Sequence, residues 1–443
     1  MPSTIPFAVQ NASASAVIDA ARTLRRDYFP GGRWVGPRNR YAINTVKWIR
    51  TDALPGTPPS PKSLQLSQYI AASVILHCFD GWSYLSHSVE SLLDGDIATA
   101  VHLAYYAELR AAMSFLASEG IGIFNTRHFW CDNKGDYDVF CGHTHQVVWK
   151  ALEEWAVASA KRTRLLELLS VNGKSFVEWL DSAGYAPGRP TTGVLAEEWL
   201  KSWSIDLKEC TQDRDLRNDA SYRPQRLSLS QSQLSIGVIS EKLVKFWRAC
   251  EPSGFARFGG LDLHLLHQAL TQAYGAIMPS RSYSVFVRDA LDQMGMAGQL
   301  HLTRFLSSSH LPQHPILVEA KKKGRDRNGR MRPLSIMARA ILLLRLASAA
   351  CESFLRSSGI YRADIEFWWE NLGSDTGLWK PNEGPAYMTD LWADIEAALE
   401  LIEAWNNESP ASNRNVFQAR RELSVNLWYM GQFQRVGLWG IGL

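Results

Sequence analysis

Apolar residues recur every three or four positions along most of the chain, which is the spacing of a helix face. Asp96 precedes one such segment as a candidate N-cap, and Gly120 follows its end, where a left-handed residue is favoured. The fold is therefore predicted to be mainly α, built of multi-helix bundles. The predicted helices span 64–78, 82–93, 97–118, 144–159, 240–249, 263–274, 333–355, 387–405 and 416–433.

One stretch departs from the helical pattern. Residues on either side of "DNKGD" (132–136) alternate in character, and that sequence suits a tight turn. We expect a small β-hairpin inserted between helices near residues 121–143.

Segments rich in Pro, Gly and Ser interrupt the helical pattern at 56–63, 182–193 and 251–260. No repeat of solenoid period is visible. The predicted organisation has three parts. These are a basic and aromatic N-terminal arm at 1–55, a helical domain carrying the hairpin at 64–227, and a second helical domain at 228–443.

The amino-acid composition is that of a globular protein without a large excess of charge. The chain has 443 residues, of which 46% are hydrophobic and 21% charged, with a net charge of +3. Such a chain should fold as a globular protein, and any nucleic-acid partner must be argued from local clusters. The most apolar run, 340–351, is interrupted by Arg345 and is too short for a bilayer, so we expect a buried core helix and no membrane partner.

The six cysteines are scattered, and the first residues lack the order of a secretory signal. A reducing cytoplasm is the expected location.

The hairpin is rich in residue types that bind metals. Zinc coordination is one interpretation, since alternate residues of a strand share a face. However, the chain has no Cys-x-x-Cys, and the favoured alternative is a metal-free hairpin. We expect no metal and no cofactor. The ligand-type residues are His128, Cys131, Cys141, His143 and His145.

A dense polar motif, "CTQDRDLRNDASYRP", occupies 210–224 and includes Arg217 and Asn218. An upstream predicted helix carries Glu108 and Arg110 in an otherwise apolar sequence. Together, these features resemble the HEPN superfamily of helical nucleic-acid-associated domains, over residues 64–226 at most.

The resemblance implies a metal-independent endoribonuclease that works as a homodimer, such as a toxin or an effector of bacterial antiphage defence. It would place Arg217 on the scissile phosphate, Asn218 as an orienting residue, and Glu108 and Arg110 in the same site. The sequence departs from the pattern at Tyr222, which stands where the family has a histidine. A phenol of ordinary pKa near 10 is a poor base at neutral pH.

Structural interpretations of the same residues remain open. The motif at 210–224 is also typical of the start of a helix whose charged side chains form salt bridges with neighbouring helices. Glu108 and Arg110 also suit the exposed face of a bundle helix.

Two segments are locally basic. Residues 21–50 interleave cations with aromatic rings, a combination that single-stranded nucleic acid sites use, although the rings also suit anchoring of the arm. The candidate nucleic-acid-binding residues there are Arg33, Arg38 and Arg40. A second cluster precedes the predicted 333–355 helix, either as a phosphate contact or as a solvated loop. Its candidates are Lys321, Lys322, Lys323, Arg325 and Arg327.

The sequence therefore leads to two functional hypotheses. The first is a HEPN-like RNase whose partner is RNA rather than DNA. The alternative is a catalytically inactive nucleic-acid-binding or scaffold subunit of a larger complex.

Overall fold

The computed structural model describes residues 2–52, 63–161, 163–187, 194–223, 235–254, 256–277, 280–309, 311–409 and 414–442. Over these residues the fold is mainly α, as predicted, with two small antiparallel sheets. The helices are α1 Ile5–Asn11, α2 Ser15–Asp27, α3 Arg40–Asp52, α4 Ser63–Leu93, α5 Ile97–Ser118, α6 Thr144–Val157, α7 Arg164–Leu168, α8 Phe176–Ser182, α9 Ala196–Ser202, α10 Leu207–Tyr222, α11 Ile236–Ala249, α12 Gly259–Ile277, α13 Tyr283–Gln293, α14 Leu300–Leu306, α15 Pro315–Ala320, α16 Pro333–Ser358, α17 Glu366–Asp375, α18 Leu391–Glu408, α19 Val416–Gly431 and α20 Gln434–Gly440.

Helix α5 has the predicted bounds, and both of its predicted ends are confirmed. Asp96 accepts a hydrogen bond from the backbone N–H of Thr99 at 3.0 Å, which satisfies a free donor of the first turn. Gly120 follows the helix with φ of +90°, a conformation that costs glycine little.

Two predicted helices, 64–78 and 82–93, are one continuous helix, α4. Gly81 lies in its middle, where a Cβ atom would approach the side chain of Leu344 to 2.6 Å. The glycine is therefore explained by close helix packing and not by a break in the chain.

Helix α16 lies at the centre of the molecule and packs against α4 and α5. It is long and apolar enough to cross a bilayer, but its apolar window is entirely buried by other parts of the protein. Its two buried arginines, Arg339 and Arg345, pair with buried carboxylates. The prediction of a buried core helix is confirmed.

The predicted hairpin is confirmed as part of a three-stranded antiparallel sheet, ordered β1 (Ile121–Gly122), β2 (Arg127–Cys131) and β3 (Tyr137–Cys141). Strands β2 and β3 pair in register from Arg127 opposite Cys141 to Cys131 opposite Tyr137. A second sheet, β4 (Ser170–Val171) with β5 (Lys174–Ser175), was not predicted, because two-residue strands leave no alternating pattern.

The three predicted segments are packed into one another. Trp34 of the N-terminal segment contacts the rings of Phe367 and Trp368 on α17, with centroids 5.6 and 5.4 Å away. Helix α2 packs on α4, and α16 packs on α5. The first segment is thus attached to the body along its length rather than projecting as an arm. Residues 53–62 and 224–234, in which the predicted boundaries near 55 and at 227–228 fall, lie outside the described residues.

Candidate functional site

Arg217 lies on α10 with only 8% of its surface exposed. One terminal nitrogen, Nη2, donates a hydrogen bond to Nε2 of His145 at 2.8 Å. The guanidinium carbon lies 5.6 Å from the ring centre of Tyr105 and 5.5 Å from that of Tyr106. Within the described parts of the chain, no carboxylate pairs with this arginine, and its Nε has no hydrogen-bond partner. The positive charge is therefore enclosed by neutral groups.

Three other buried arginines are neutralised. Arg339, Arg345 and Arg435 each have a carboxylate partner, with N–O distances of 2.9, 2.8 and 2.9 Å. Burial of a charge without such a partner is costly. The charge of Arg217 is consequently available to an anion that binds beside it.

His145, at the start of α6, is held in one tautomer. Because Arg217 donates to Nε2, the proton of the neutral ring resides on Nδ1, which donates to the hydroxyl oxygen of Tyr105 at 3.1 Å. Burial, together with the charges of Arg217 and Arg214, lowers the pKa of His145 to about 4. The imidazole is therefore neutral at physiological pH.

A second histidine completes this group. His102, on α5, lies 2.8 Å by its Nδ1 from the hydroxyl of Ser221, and its ring centre lies 5.0 Å from that of Tyr106. Burial lowers the pKa of His102, and the charge of Arg217 adds to this effect. We call these residues the Arg217 cluster: Arg217, His102, His145, Tyr105, Tyr106 and Ser221.

The cluster differs from the predicted catalytic set. Asn218 is partly exposed on the next position of α10, and Tyr222 is 82% exposed in the last turn of the helix. His102 and His145 were not among the predicted catalytic residues. A signal for His102 was present, since His102, Tyr105 and Tyr106 have the spacing of one helix face within an apolar helix.

Glu108 belongs to a different, buried network and not to the Arg217 cluster. It is 0% exposed, with Oε1 3.5 Å from Nε of Arg339, which also pairs with Asp213. Burial raises the pKa of Glu108 well above its ordinary value, and the neighbouring charge of Asp213 raises it further. The interpretation of Glu108 as part of an exposed helix face is wrong, because it belongs to an enclosed network with Asp213 and Arg339.

Arg110 points to another face of α5. Its Nη1 donates to Nδ1 of His77 at 2.7 Å and lies 3.6 Å from Asp80. Its side chain is 27% exposed. Glu108 and Arg110 are therefore not brought together in one site, since residues two positions apart on a helix diverge.

The predicted basic residues of the first segment divide into two groups. Arg33 and Arg38 are exposed. Arg40 is buried at 8% exposure, with its guanidinium over the rings of Tyr41 and Trp48 at 5.3 and 5.0 Å. Arg40 is therefore not part of an exposed basic surface.

The second basic segment, residues 321–332, is called the basic loop. It lies against α10, the helix that carries Arg217. Arg325 pairs with Asp219, and a Cβ atom on Gly324 would lie 2.6 Å from a carboxyl oxygen of Asp213. Lys322 of the loop pairs with Glu319 of α15 at 2.7 Å. The exposed cations of the loop are Lys321, Lys323 and Arg327.

Two of the ligand-type residues of the hairpin, His128 and Cys131, make hydrogen bonds to the backbone. His128 accepts a hydrogen bond from the N–H of Phe124 at Nδ1 and donates from Nε2 to the carbonyl of Gly142, both at 3.0 Å. Cys131 donates to the carbonyls of Ser13 and Gly120. No group of three or more metal-binding side chains occurs in the described part of the chain. Both nitrogens of His128 thus take part in hydrogen bonds within the protein.

Acid is expected to destabilise the protein through His128. Burial lowers the pKa of this fully buried ring to about 4, whereas an unfolded histidine has a value near 6.5. The unfolded state therefore binds more protons between these values, so the stabilisation present above pH 6.5 is lost as pH falls through 4, by up to about 3 kcal/mol. Urea unfolding measured from pH 7 to pH 4 should show this slope, and His128→Gln should reduce it.

The control for this measurement is His87→Gln. His87 is exposed, and its hydrogen bond to Glu90 raises its pKa, so its removal should not weaken the acid destabilisation. An equal pH slope in wild type and His128→Gln would contradict the assignment to His128.

Searches of family models, curated proteins and solved structures find no match to this chain.

Proposed function

We propose that the chain binds single-stranded RNA at the Arg217 cluster and cleaves it without a metal ion. The observation that carries this proposal is the guanidinium of Arg217, which is 8% exposed and bonded to a neutral imidazole instead of a carboxylate. Such a charge is costly to bury and is balanced when a phosphodiester binds.

The cluster supplies the groups that RNA cleavage needs. Arg217 would bind a non-bridging oxygen of the phosphate, which releases Nε2 of His145 as a proton acceptor. One imidazole would take the proton of the 2′-hydroxyl as the 2′-oxygen bonds to phosphorus. The bond to the 5′-oxygen breaks, and the second imidazole, protonated in the complex, gives that oxygen its proton. The negative charge of the bound phosphate favours this protonated state.

The HEPN resemblance adds a cellular role to the proposed activity. It suggests a homodimeric toxin or antiphage effector that acts in the cytoplasm, where the six free cysteines of the chain would stay reduced. In the proposed site, His102 and His145 take the acid–base role that the resemblance assigns to the position of Tyr222. The exposed cations of the basic loop would extend the phosphate contacts along the RNA.

Arg217→Ala should lower the rate of RNA cleavage by at least about 100-fold, because a preorganised cation at the developing phosphorane charge is removed. The assay uses a labelled single-stranded RNA with a chelator present throughout. Arg356→Ala is the matched control, since Arg356 is exposed and, among the described residues, pairs only with Glu352 of its own helix. It should cleave at the wild-type rate.

A 2′-deoxy oligonucleotide of the same sequence should bind but remain intact, since it lacks the nucleophile. Cleavage of RNA by Arg217→Ala at the wild-type rate would refute the site. Cleavage of the deoxy strand would refute the chemistry.

A second candidate function is RNA binding without cleavage. It is favoured by the lowered pKa values of His102 and His145, which leave the free protein without a protonated acid in the cluster. Binding should then weaken steeply with salt, and Arg217→Ala should reduce the slope of log K against log salt by about 1. The absence of salt-dependent binding would exclude this function.

A further inference from the structure

A second arginine, Arg110, repeats the surroundings of Arg217. Its Nη1 donates a hydrogen bond to Nδ1 of His77 at 2.7 Å, and its guanidinium carbon lies 6.0 Å from the ring centre of Tyr84. Arg217 makes the corresponding contact with His145, at 2.8 Å, and also lies over tyrosine rings. Each arginine therefore donates to an imidazole and packs on an aromatic ring.

Close packing of α5 on α4 places Arg110 in this position. A Cβ atom on Gly81 of α4 would lie 3.4 Å from Cβ of Arg110, so the two helices approach closely there. Neighbouring residues at helical spacing belong to the same face of α4. These are His77, Asp80 and Tyr84.

The positive charge of Arg110 is accessible and only weakly paired. Its side chain is 27% exposed, and the nearest oxygen of Asp80 lies 3.6 Å from Nη1, farther than a hydrogen bond. The Asp80 side chain is itself 47% exposed, and an ion pair of this kind contributes little. Burial lowers the pKa of His77 more than contact with Asp80 raises it, and the charge of Arg110 adds to the lowering, so the imidazole is neutral.

Two tyrosine rings connect Arg110 with the Arg217 cluster. The ring centres of Tyr84 and Tyr106 are 5.5 Å apart, and that of Tyr106 lies 5.5 Å from the guanidinium carbon of Arg217. Both rings are partly exposed. His102, Tyr106 and Arg110 are also four positions apart on α5 and so share one face of that helix. The two arginines therefore border one continuous, partly exposed surface.

We propose that Arg110 binds a second phosphate of the RNA strand whose scissile phosphate binds at Arg217. The inference rests on the function proposed above and adds a binding subsite to it. A single-stranded site holds a strand of about four nucleotides or more, so several phosphates lie against the protein at once. The planar guanidinium is suited to a phosphate oxygen. Because Arg110 does not contact the reacting atoms, it supports binding of the strand and not the chemical step.

The test is fluorescence anisotropy titration of the full chain with a labelled single-stranded 2′-deoxy oligonucleotide, which carries the phosphates without being cleaved. Arg110→Gln should weaken binding about fivefold and reduce the slope of log K against log salt by about 1, because one phosphate contact is lost. Asp80→Asn should tighten binding about threefold, because it removes the carboxylate that competes for the guanidinium.

Cleavage of RNA separates binding from chemistry. Arg110→Gln should raise KM about fivefold with little change in kcat, because its phosphate contact is the same in the ground state and the transition state. Arg217→Ala should lower kcat instead.

The matched controls are Arg356→Gln and Asp375→Asn, at two exposed positions, which change the net charge by the same amounts and should leave binding unchanged. If Arg110→Gln fails to fold, Asp80→Asn decides. Unchanged binding in folded Arg110→Gln, binding by Asp80→Asn no tighter than wild type, or a large fall in kcat in Arg110→Gln would overturn this subsite. If Arg217→Ala still abolishes cleavage, the proposed function survives that result. A chain that neither binds nor cleaves RNA would overturn both.

Discussion

Arg339→Met is expected to lower the free energy of unfolding by about 3–5 kcal/mol, because it leaves buried carboxyl groups without their counter-charge. Arg339 is 0% exposed and bonds to Asp213 at 2.9 Å through Nε. It also donates to the carbonyls of Ala320 and Lys322, at 2.9 and 2.7 Å, where α15 leads into the basic loop. One side chain thus joins α16, α10 and the basic loop.

The measurement is urea unfolding at pH 7 followed by circular dichroism. Arg356→Met is the control, because Arg356 is 77% exposed and its pair with Glu352 should contribute less than about 1 kcal/mol. Burial raises the pKa of Asp213 to about 6, so the loss in Arg339→Met should shrink as pH falls and the carboxyl groups accept protons. A loss below about 1 kcal/mol at pH 7 would contradict a structural role for this network.

Asp262→Leu should cost a similar amount, about 3–5 kcal/mol, because it strands the buried guanidinium of Arg345. The two side chains bind through two hydrogen bonds, of 2.8 and 3.1 Å, with Asp262 0% and Arg345 2% exposed. The guanidinium also lies over the ring of Phe258 at 4.6 Å, which holds it in place. It therefore has no route to solvent when the carboxylate is removed.

The double variant Asp262→Leu/Arg345→Met should recover most of this loss, since a buried ion pair and a packed apolar pair of similar volume are close in free energy. The same urea titration measures all four forms of the cycle. If the double variant is less stable than the wild type by the sum of the two single losses, Asp262 and Arg345 are not coupled, which would contradict a buried ion pair.

Periodicity in the sequence was sufficient to predict the elements that bury one face. The bounds of α5, the apolar core helix α16 and the hairpin at β2 and β3 follow from local patterns of hydrophobicity, caps and turns. Helix α10 was not predicted, because its charged sequence has little apolar periodicity, and its helical state depends on packing against α5 and α6.

The sequence by itself determined a mainly α fold, the core position of α16 and the presence of a basic loop, since each depends on residues close together in the chain. Only the tertiary structure decided what surrounds Arg217, because His145 is 72 positions away and belongs to another helix. It also decided that Glu108 is enclosed while Arg110 faces His77, a distinction that helical spacing leaves undetermined. Burial and charge pairing depend on which helices meet, and that choice is made by the packing of the whole core.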